Sequence, residues 1–311
     1  MGCITGCLGG VSKVYKFNQI FRTAFVNFRR WHKNPQIILA FLMAFVVCFL
    51  LSDKVLSFAD RHDTTMQMFE PFIWTFGDAN SVLIISLLLL LLFSDMPNLG
   101  NDVPFFLIRI DRKVWMLGQI LYVILATLVF VAFILVSTCV LCMTKAYPAN
   151  IWSKTAAILG YSDIGREIAI PAFLKVLELS FPYGCMLHIF GLMLGYSILL
   201  SSIILFLNLM KDNGGMIGGI IFSGIGFVLN PQLISEWFKL TSEQYKIANI
   251  AFGWMSPLNH ATYYMHNFGY DNLPKLWVSY VFFLLGSVLF FSLSMLRMRT
   301  YNFKFTGTIR R

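Results

Sequence analysis

Arg109, Arg112 and Lys113 are the side chains whose type and spacing most invite chemistry, and that chemistry is recognition rather than bond-making. They stand at the foot of a run from Val114 to Thr144 that contains no charge. If the chain is helical from Ile108 onward, Arg109, Arg112, Trp115 and Gly118 recur every third residue and share a broad face. Signatures of catalysis are absent. There is no His-Glu-x-x-His, no Gly-x-Ser-x-Gly and no paired-glutamate protease motif. The spacing of His260 and His266 places them on different faces of a helix. Cys139-x-x-Cys142 has no His or further Cys nearby to complete a metal site, and a bridge from either to Cys185 is the less favoured alternative to buried thiols. No Gly-x-x-x-x-Gly-Lys-Ser/Thr occurs, so the chain is expected to bind no cofactor of its own and to be no enzyme.

The elements that must carry these side chains are membrane helices. The hydrophobic fraction is 58% and charged residues make up 13%, with a mean hydropathy of +0.71. One soluble core could not hide that much apolar surface. Uncharged apolar runs, the first two at 36–52 and 79–94, predict six spans near 36–54, 75–94, 114–144, 179–210, 214–234 and 276–296, making residues 36–311 one transmembrane domain. The first two cores are short, so their ends should absorb Asp53, Lys54 and Asp78, the alternative being that one of them is re-entrant.

Charge sets the orientation. With the N-terminus cytoplasmic, the inner segments hold 15 of the 24 basic residues and only Asp95, Asp102, Asp111 and Asp212 among the acids. The net charge of +9 is then an inner-face surplus, as the positive-inside rule expects, and both termini lie inside. Membrane topology explains the basic balance without nucleic acid, because the bases gather in no soluble domain. The first apolar core begins only near Ile37, so the first span is expected to act as an uncleaved anchor. Met1-Gly2-Cys3 superficially suggests acylation, but Gly6 replaces the required Ser or Thr and no lipobox precedes Cys3.

Residues 1–35 form a cytoplasmic segment with an amphipathic helix. Val14, Phe17, Phe21, Ala24, Phe28 and Trp31 make an apolar stripe widened by Ile20 and Phe25, against Lys13, Lys16, Arg29 and Arg30. Asn34-Pro35 ends it and turns the chain into the bilayer. Its roles are a passive lipid anchor or a helix lying between membrane and cytoplasmic partner. Residues 95–113 stay inside, punctuated by Pro97, Gly100 and Pro104, with Phe105-Phe106-Leu107-Ile108 suggesting a short transverse helix.

Here the chain resembles the permease subunits of type-2 ABC exporters. In that family a basic residue, another three on, then Trp and a small residue followed by Lys or Gln lead from the coupling helix into the third span. Arg109, Arg112, Trp115, Gly118 and Gln119 match. The amphipathic helix, six spans, inner termini and long outer loop 235–275 agree with that architecture over most of the chain. In that loop Trp237-Phe238, 247–254 and Met255-Ser256-Pro257-Leu258 resemble the family's re-entrant pair, an interfacial aromatic belt being the alternative reading. The loop 145–178, with Arg166, Glu167 and Glu178, reads as a solvated cap or amphipathic helix, with substrate contact as the alternative.

The resemblance implies a bacterial-type cell membrane protein that exports a substrate (peptide, lipid, drug or ion) by alternating access. Its partners would be a second permease copy or related permease, lipid, and two copies of a separate ATPase carrying ATP and Mg. No soluble segment exceeds about forty-five residues, too few for an ATPase domain. Asp102, Arg109, Arg112, Lys113 and Trp115 become candidates for ATPase coupling, with topological anchoring a competing role for the bases. Gly214, Gly215, Gly218, Gly219 and Ser223 form small-residue pairs for close helix packing, within one protomer or between two. His188, alone in an apolar span, is a pathway candidate or an interfacial hydrogen-bonding residue. A membrane sensor or immunity component that binds antimicrobial peptides, and a secondary transporter, are the rival functions. The spans offer the latter no intramembrane acidic residues, Asp53 and Asp78 being expected at the interface, and no evident inverted repeat.

Overall fold

Proline and small polar residues mark where the helices begin. Asn34 caps α2 (Pro35–Arg61), its side chain accepting from Gln36 N at 3.0 Å with Pro35 in the first turn. Asp78 caps α4 (Ala79–Phe93) in the same way, accepting from Asn80 N at 3.2 Å. The structure is a computed structural model that describes residues 4–97, 109–162, 174–211, 214–239, 241, 245–269 and 272–301. Asp102 and the expected transverse helix up to Ile108 lie outside the described residues, as do Arg166 and Glu167.

The order begins with α1 (Ile4–Arg29), a single 3-10 turn at Trp31–Lys33, and α2. A two-residue strand β1 (Met66–Gln67) precedes α3 (Glu70–Phe76) and α4; then come α5 (Arg112–Cys142) and β2 (Ala146–Tyr147), which pairs in parallel with β1. Two short helices, α6 (Lys154–Tyr161) and α7 (Leu174–Leu179), lead to α8 (Pro182–Met210) and α9 (Gly214–Val228). The chain closes with α10 (Pro231–Trp237), α11 (Tyr245–Met255), α12 (Pro257–Ala261), a 3-10 turn at Tyr263–Met265 and α13 (Leu276–Thr300).

Among the described residues four helices, α2, α5, α8 and α13, are long and apolar enough to cross a membrane. Two bent pairs raise the number to six if each counts as one span: α3 with α4, bent by 85°, and α9 with α10, bent by 82°. α4 and α9 have 15 residues each, about 22 Å of helix, less than a ~30 Å hydrocarbon core. Their bent partners account for the shortness of the second span noted in the sequence. α2 runs on to Arg61 and carries Asp53 and Lys54 within its last turns, rather than ending beside them.

α8 is the hub. Its apolar window is 67% buried, against 17% for α13 and 28% for α2. Small residues let its neighbours approach: a Cβ on Gly195 would lie 3.0 Å from the Phe283 ring, and one on Gly286 would meet Leu199 at 2.8 Å. Away from the hub, Leu42, Phe49 and Leu50 of α2, Ile217, Ile220 and Ile221 of α9, and Leu284, Leu285 and Leu289 of α13 are exposed. Apolar faces of this extent suit lipid, not water. The molecule has the build of an all-α, multi-pass membrane protein. Cys48, Cys139, Cys142 and Cys185 are buried free thiols.

At the end away from α1, the segment after β2 is stitched to α3 through a fully buried carboxylate. Glu70 Oε1 accepts from Ser153 N at 2.8 Å and Oε2 from Ser153 Oγ at 2.6 Å, while the same Oγ caps α6 by accepting from Ala156 N. Thr64 and Thr155 hydroxyls meet at 2.7 Å beside it. Ser153→Ala therefore loses both a cap and a donor to a buried carboxylate. The expected cost is about 1–3 kcal/mol, read as a lower melting temperature in detergent. An unchanged melting temperature would show that this stitch carries no stability.

Candidate functional site

The basic foot and its surroundings lie where α1, the C-terminal end of α4 and the N-terminal end of α5 meet. α5 starts at Arg112 with Asp111 in the cap position, so Arg109 precedes the helix in a turn rather than sharing its face. From Arg112 onward, steps of three residues each lag a 3.6-residue turn by about 60°. Arg112 and Gly118 accordingly face different neighbours. Arg109, Arg112 and Lys113 are exposed, whereas Trp115 is only 2% exposed. Arg112 Nη1 donates to the Tyr301 carbonyl at 3.2 Å, tying the foot to the end of α13. Lys16 Nζ stands 4.0 Å from Asp111 Oδ2, an exposed pair of little energetic weight.

The Gly118 side of α5 is covered by the chain's own α1. A Cβ at Gly118 would fall 2.6 Å from Thr23 Cβ and 3.2 Å from the Ile20 carbonyl, so the glycine sets the distance between the two helices. One residue on, Gln119 Oε1 accepts from Asn27 Nδ2 at 2.9 Å in a buried pair. Further along, Trp31 Nε1 donates to Tyr122 OH at 2.9 Å, with Phe28 edge-on to the Tyr122 ring. The apolar stripe of α1 is therefore divided. Ala24, Phe28 and Trp31 turn toward the bundle, whereas Phe17 and Phe25 stay exposed at 61% and 59%. Thr23 and Asn27, polar residues outside that stripe, are buried: Thr23 packs on Gly118 and returns its hydroxyl to the Gln19 carbonyl at 2.8 Å, and Asn27 finds Gln119 of α5.

A second junction was not visible in the sequence. Asn208, near the end of α8, donates through Nδ2 to the carbonyls of Ser94 at 3.1 Å and Met96 at 2.6 Å, and its Oδ1 accepts from Gly215 N at 2.8 Å. One amide thus ties the chain leaving α4 to both α8 and α9. Its sequence signal was a lone Asn in the last turn of an otherwise apolar run. Nearby, Asn27, Arg30, Asn34, Asp95 and Tyr122 line a polar cleft of about 20 Å³, room for roughly one water molecule.

Gly214, Gly215, Gly218 and Gly219 of α9 pack inside this chain. Added Cβ atoms on Gly214 and Gly215 would strike the Leu207 and Ile204 carbonyls at 2.8 and 2.4 Å; Gly218 would strike the Leu207 side chain, and Gly219 that of Leu90. Ser223 is buried on the same helix. The opposite face, with Ile217, Ile220 and Ile221, is the one left open. His188 is exposed, its ring stacked on Tyr263 and its Nδ1 3.2 Å from Tyr280 OH. Those contacts place it among the aromatic residues at the end away from α1.

His260 and His266, expected on separate faces of one helix, sit in different elements and reach the same hydroxyl. His260 Nδ1 is 2.7 Å and His266 Nε2 2.8 Å from Ser279 Oγ. The physical reason is that α12 ends at Ala261 and the following 3-10 turn redirects His266. Among the described residues no group of three His, Cys, Asp or Glu side chains could hold a metal ion. No family model, curated protein or solved structure matches the chain.

Replacing Gly118 by Val should push α1 away from α5. The expected result is a loss of about 1–3 kcal/mol, seen as a lower melting temperature together with faster proteolysis in the 30–34 connector. Adding Thr23→Gly should recover part of both. A Gly118→Val chain as stable and as protease-resistant as the parent would disprove this contact.

Proposed function

We propose that the chain is the transmembrane permease subunit of an ATP-driven exporter of the type-2 ABC class. In this reading each bent pair is one span, giving six, and both termini are cytoplasmic, as the basic surplus favours. It works with a second permease, identical or related, and with two copies of a separate ATPase that binds ATP and Mg. The substrate class is a peptide, lipid, drug or ion.

The observation that carries this reading is the docking of α1 along the foot of α5, directly beside the exposed Arg109, Arg112 and Lys113. A partner that pressed on this foot would act on α5 with α1 already fastened to it. It would also act on α4, whose exit is tied to α8 and α9 by Asn208. Packed helices joined in this way move as bodies rather than bending, which suits a rocking change of access. The short helices α11 and α12 before the last span support the same architecture, as a re-entrant pair would.

Arg109 and Arg112 present charge to the partner; Trp115, Gly118 and Gln119 hold the foot against the bundle and are positioning residues. The reading predicts that an ATPase chain copurifies with the permease, and that the reconstituted complex hydrolyses ATP in response to substrate. Arg109→Glu with Arg112→Glu should lower transport at least tenfold per ATP hydrolysed beyond the effect of Arg112→Ala, which loses the bond to the Tyr301 carbonyl without reversing charge. Wild-type transport by the double variant would remove the coupling role. Flux driven by an ion gradient without ATP would favour a secondary transporter, and peptide binding without sustained hydrolysis would favour a sensor.

A further inference from the structure

Ser279, in the first turn of α13, lies between two imidazoles, and the count of hydrogens among the three side chains does not close. His260 points Nδ1 at Ser279 Oγ, 2.7 Å away, and Nε2 at the Trp254 carbonyl, 3.0 Å away. His266 points Nε2 at the same Oγ, 2.8 Å away, and Nδ1 at the Thr262 carbonyl, 2.9 Å away, the one Nδ1 hydrogen being shared with the Tyr263 carbonyl at 3.2 Å. All three residues are buried, with exposures of 3%, 0% and 0%. Carbonyl oxygens only accept, so each outer nitrogen must carry a hydrogen. A neutral imidazole has one N–H, which leaves both inner nitrogens as acceptors. The Ser279 hydroxyl has a single proton and can serve only one of them. Four contacts need four hydrogens, and the neutral trio supplies three.

We propose that His260, Ser279 and His266 form a proton-binding site that takes up one proton and relays it between the two rings. With that proton, one imidazole donates to Ser279 Oγ and the hydroxyl donates to the other, so all four contacts are satisfied. Relay needs no further reactant: the N–H proton of the cationic ring passes to Oγ as the hydroxyl proton passes to the second ring. The positive charge then changes rings and the hydroxyl reverses direction. A second added proton would set two cations across one oxygen, which like-charge repulsion disfavours.

The surroundings bias the site toward uptake in acid. Burial lowers His260, and burial together with Lys175 of α7 and the neighbouring His260 lowers His266 to about 4. Tyr263 flanks the site from the 3-10 turn, and Tyr280, Cys185 and His188 lie beyond it on α13 and α8. Asp78 acts on Tyr264, and among the described residues no carboxylate acts on either imidazole. Phe282, stacked on the His260 ring at 5.0 Å, favours a cation there. The site joins four elements: α12 through His260, the end of α11 through Trp254, the 3-10 turn through Tyr263 and α13 through Ser279.

The test is the imidazole 15N spectrum of the histidine-labelled full chain in lipid nanodiscs from pH 8 to pH 4, assigned with His260→Asn and His266→Asn. The expected result is that the two rings titrate together, gain one proton in total and share it, and that Ser279→Ala makes them titrate independently. Both rings remaining neutral down to acid unfolding would overturn the proposal, as would the uptake of two independent protons in the parent chain. If Ser279→Ala does not fold, the proton count of the parent chain decides alone.

Discussion

A polar backbone group freed inside an apolar bundle has no water to turn to, and the arrangement of this chain follows from how such groups are met. Asn208 answers for three of them at once: two carbonyls where α4 ends and one amide where α9 begins. Without a partner each would bear the cost of burial unpaired. The amide side chain can do this because Gly215 lets α9 begin against α8, where a Cβ would collide with the Ile204 carbonyl. Three helices are therefore fixed at one end by a single side chain and the absence of another. Ser256 plays a related part at the opposite end, donating to the Gly226 carbonyl while capping α12.

Close packing around α8 carries this restraint through the bundle. Its serines, Ser197 excepted, return their hydroxyls to carbonyls one turn back, as Ser201 does to Ser197 and Ser202 to Leu199. That leaves a smooth apolar surface on which Phe222 of α9 and Phe283 of α13 pack, both against the Tyr196 ring. The shape is rigid at the centre and greasy at the rim. Helices so packed transmit displacement well because interiors of this kind compress little. The right-angled breaks beside α4 and α9 shorten both helices and place α3 and α10 crosswise.

Much of this was legible in the sequence. Uncharged runs located the long helices, Asn34-Pro35 marked the turn into α2, and Gly118 stood out as a small residue beside Trp115. The breaks were less legible. Gly77-Asp78 and Asn230-Pro231 carry the local signals of a cap, but neither spacing nor composition states an angle. Pairings between distant residues were not legible at all: nothing at Asn27 announces Gln119, and the spacing of His260 and His266 misled because the helix between them ends at Ala261. The glycines of α9 were readable as close contact, though their partners Leu207, Ile204 and Leu90 lie in other runs. Asp102 lies outside the described residues, so its place beside the basic foot rests on the sequence.

The bond from Arg112 to the Tyr301 carbonyl joins two places that are 189 residues apart in the chain. It makes the end of the last helix a vantage point on the foot of α5. A small spectroscopic label at Tyr301 would sit within reach of the basic foot without replacing any of its three cations. The chain thereby offers a place from which events at that surface can be watched while the surface itself stays chemically intact.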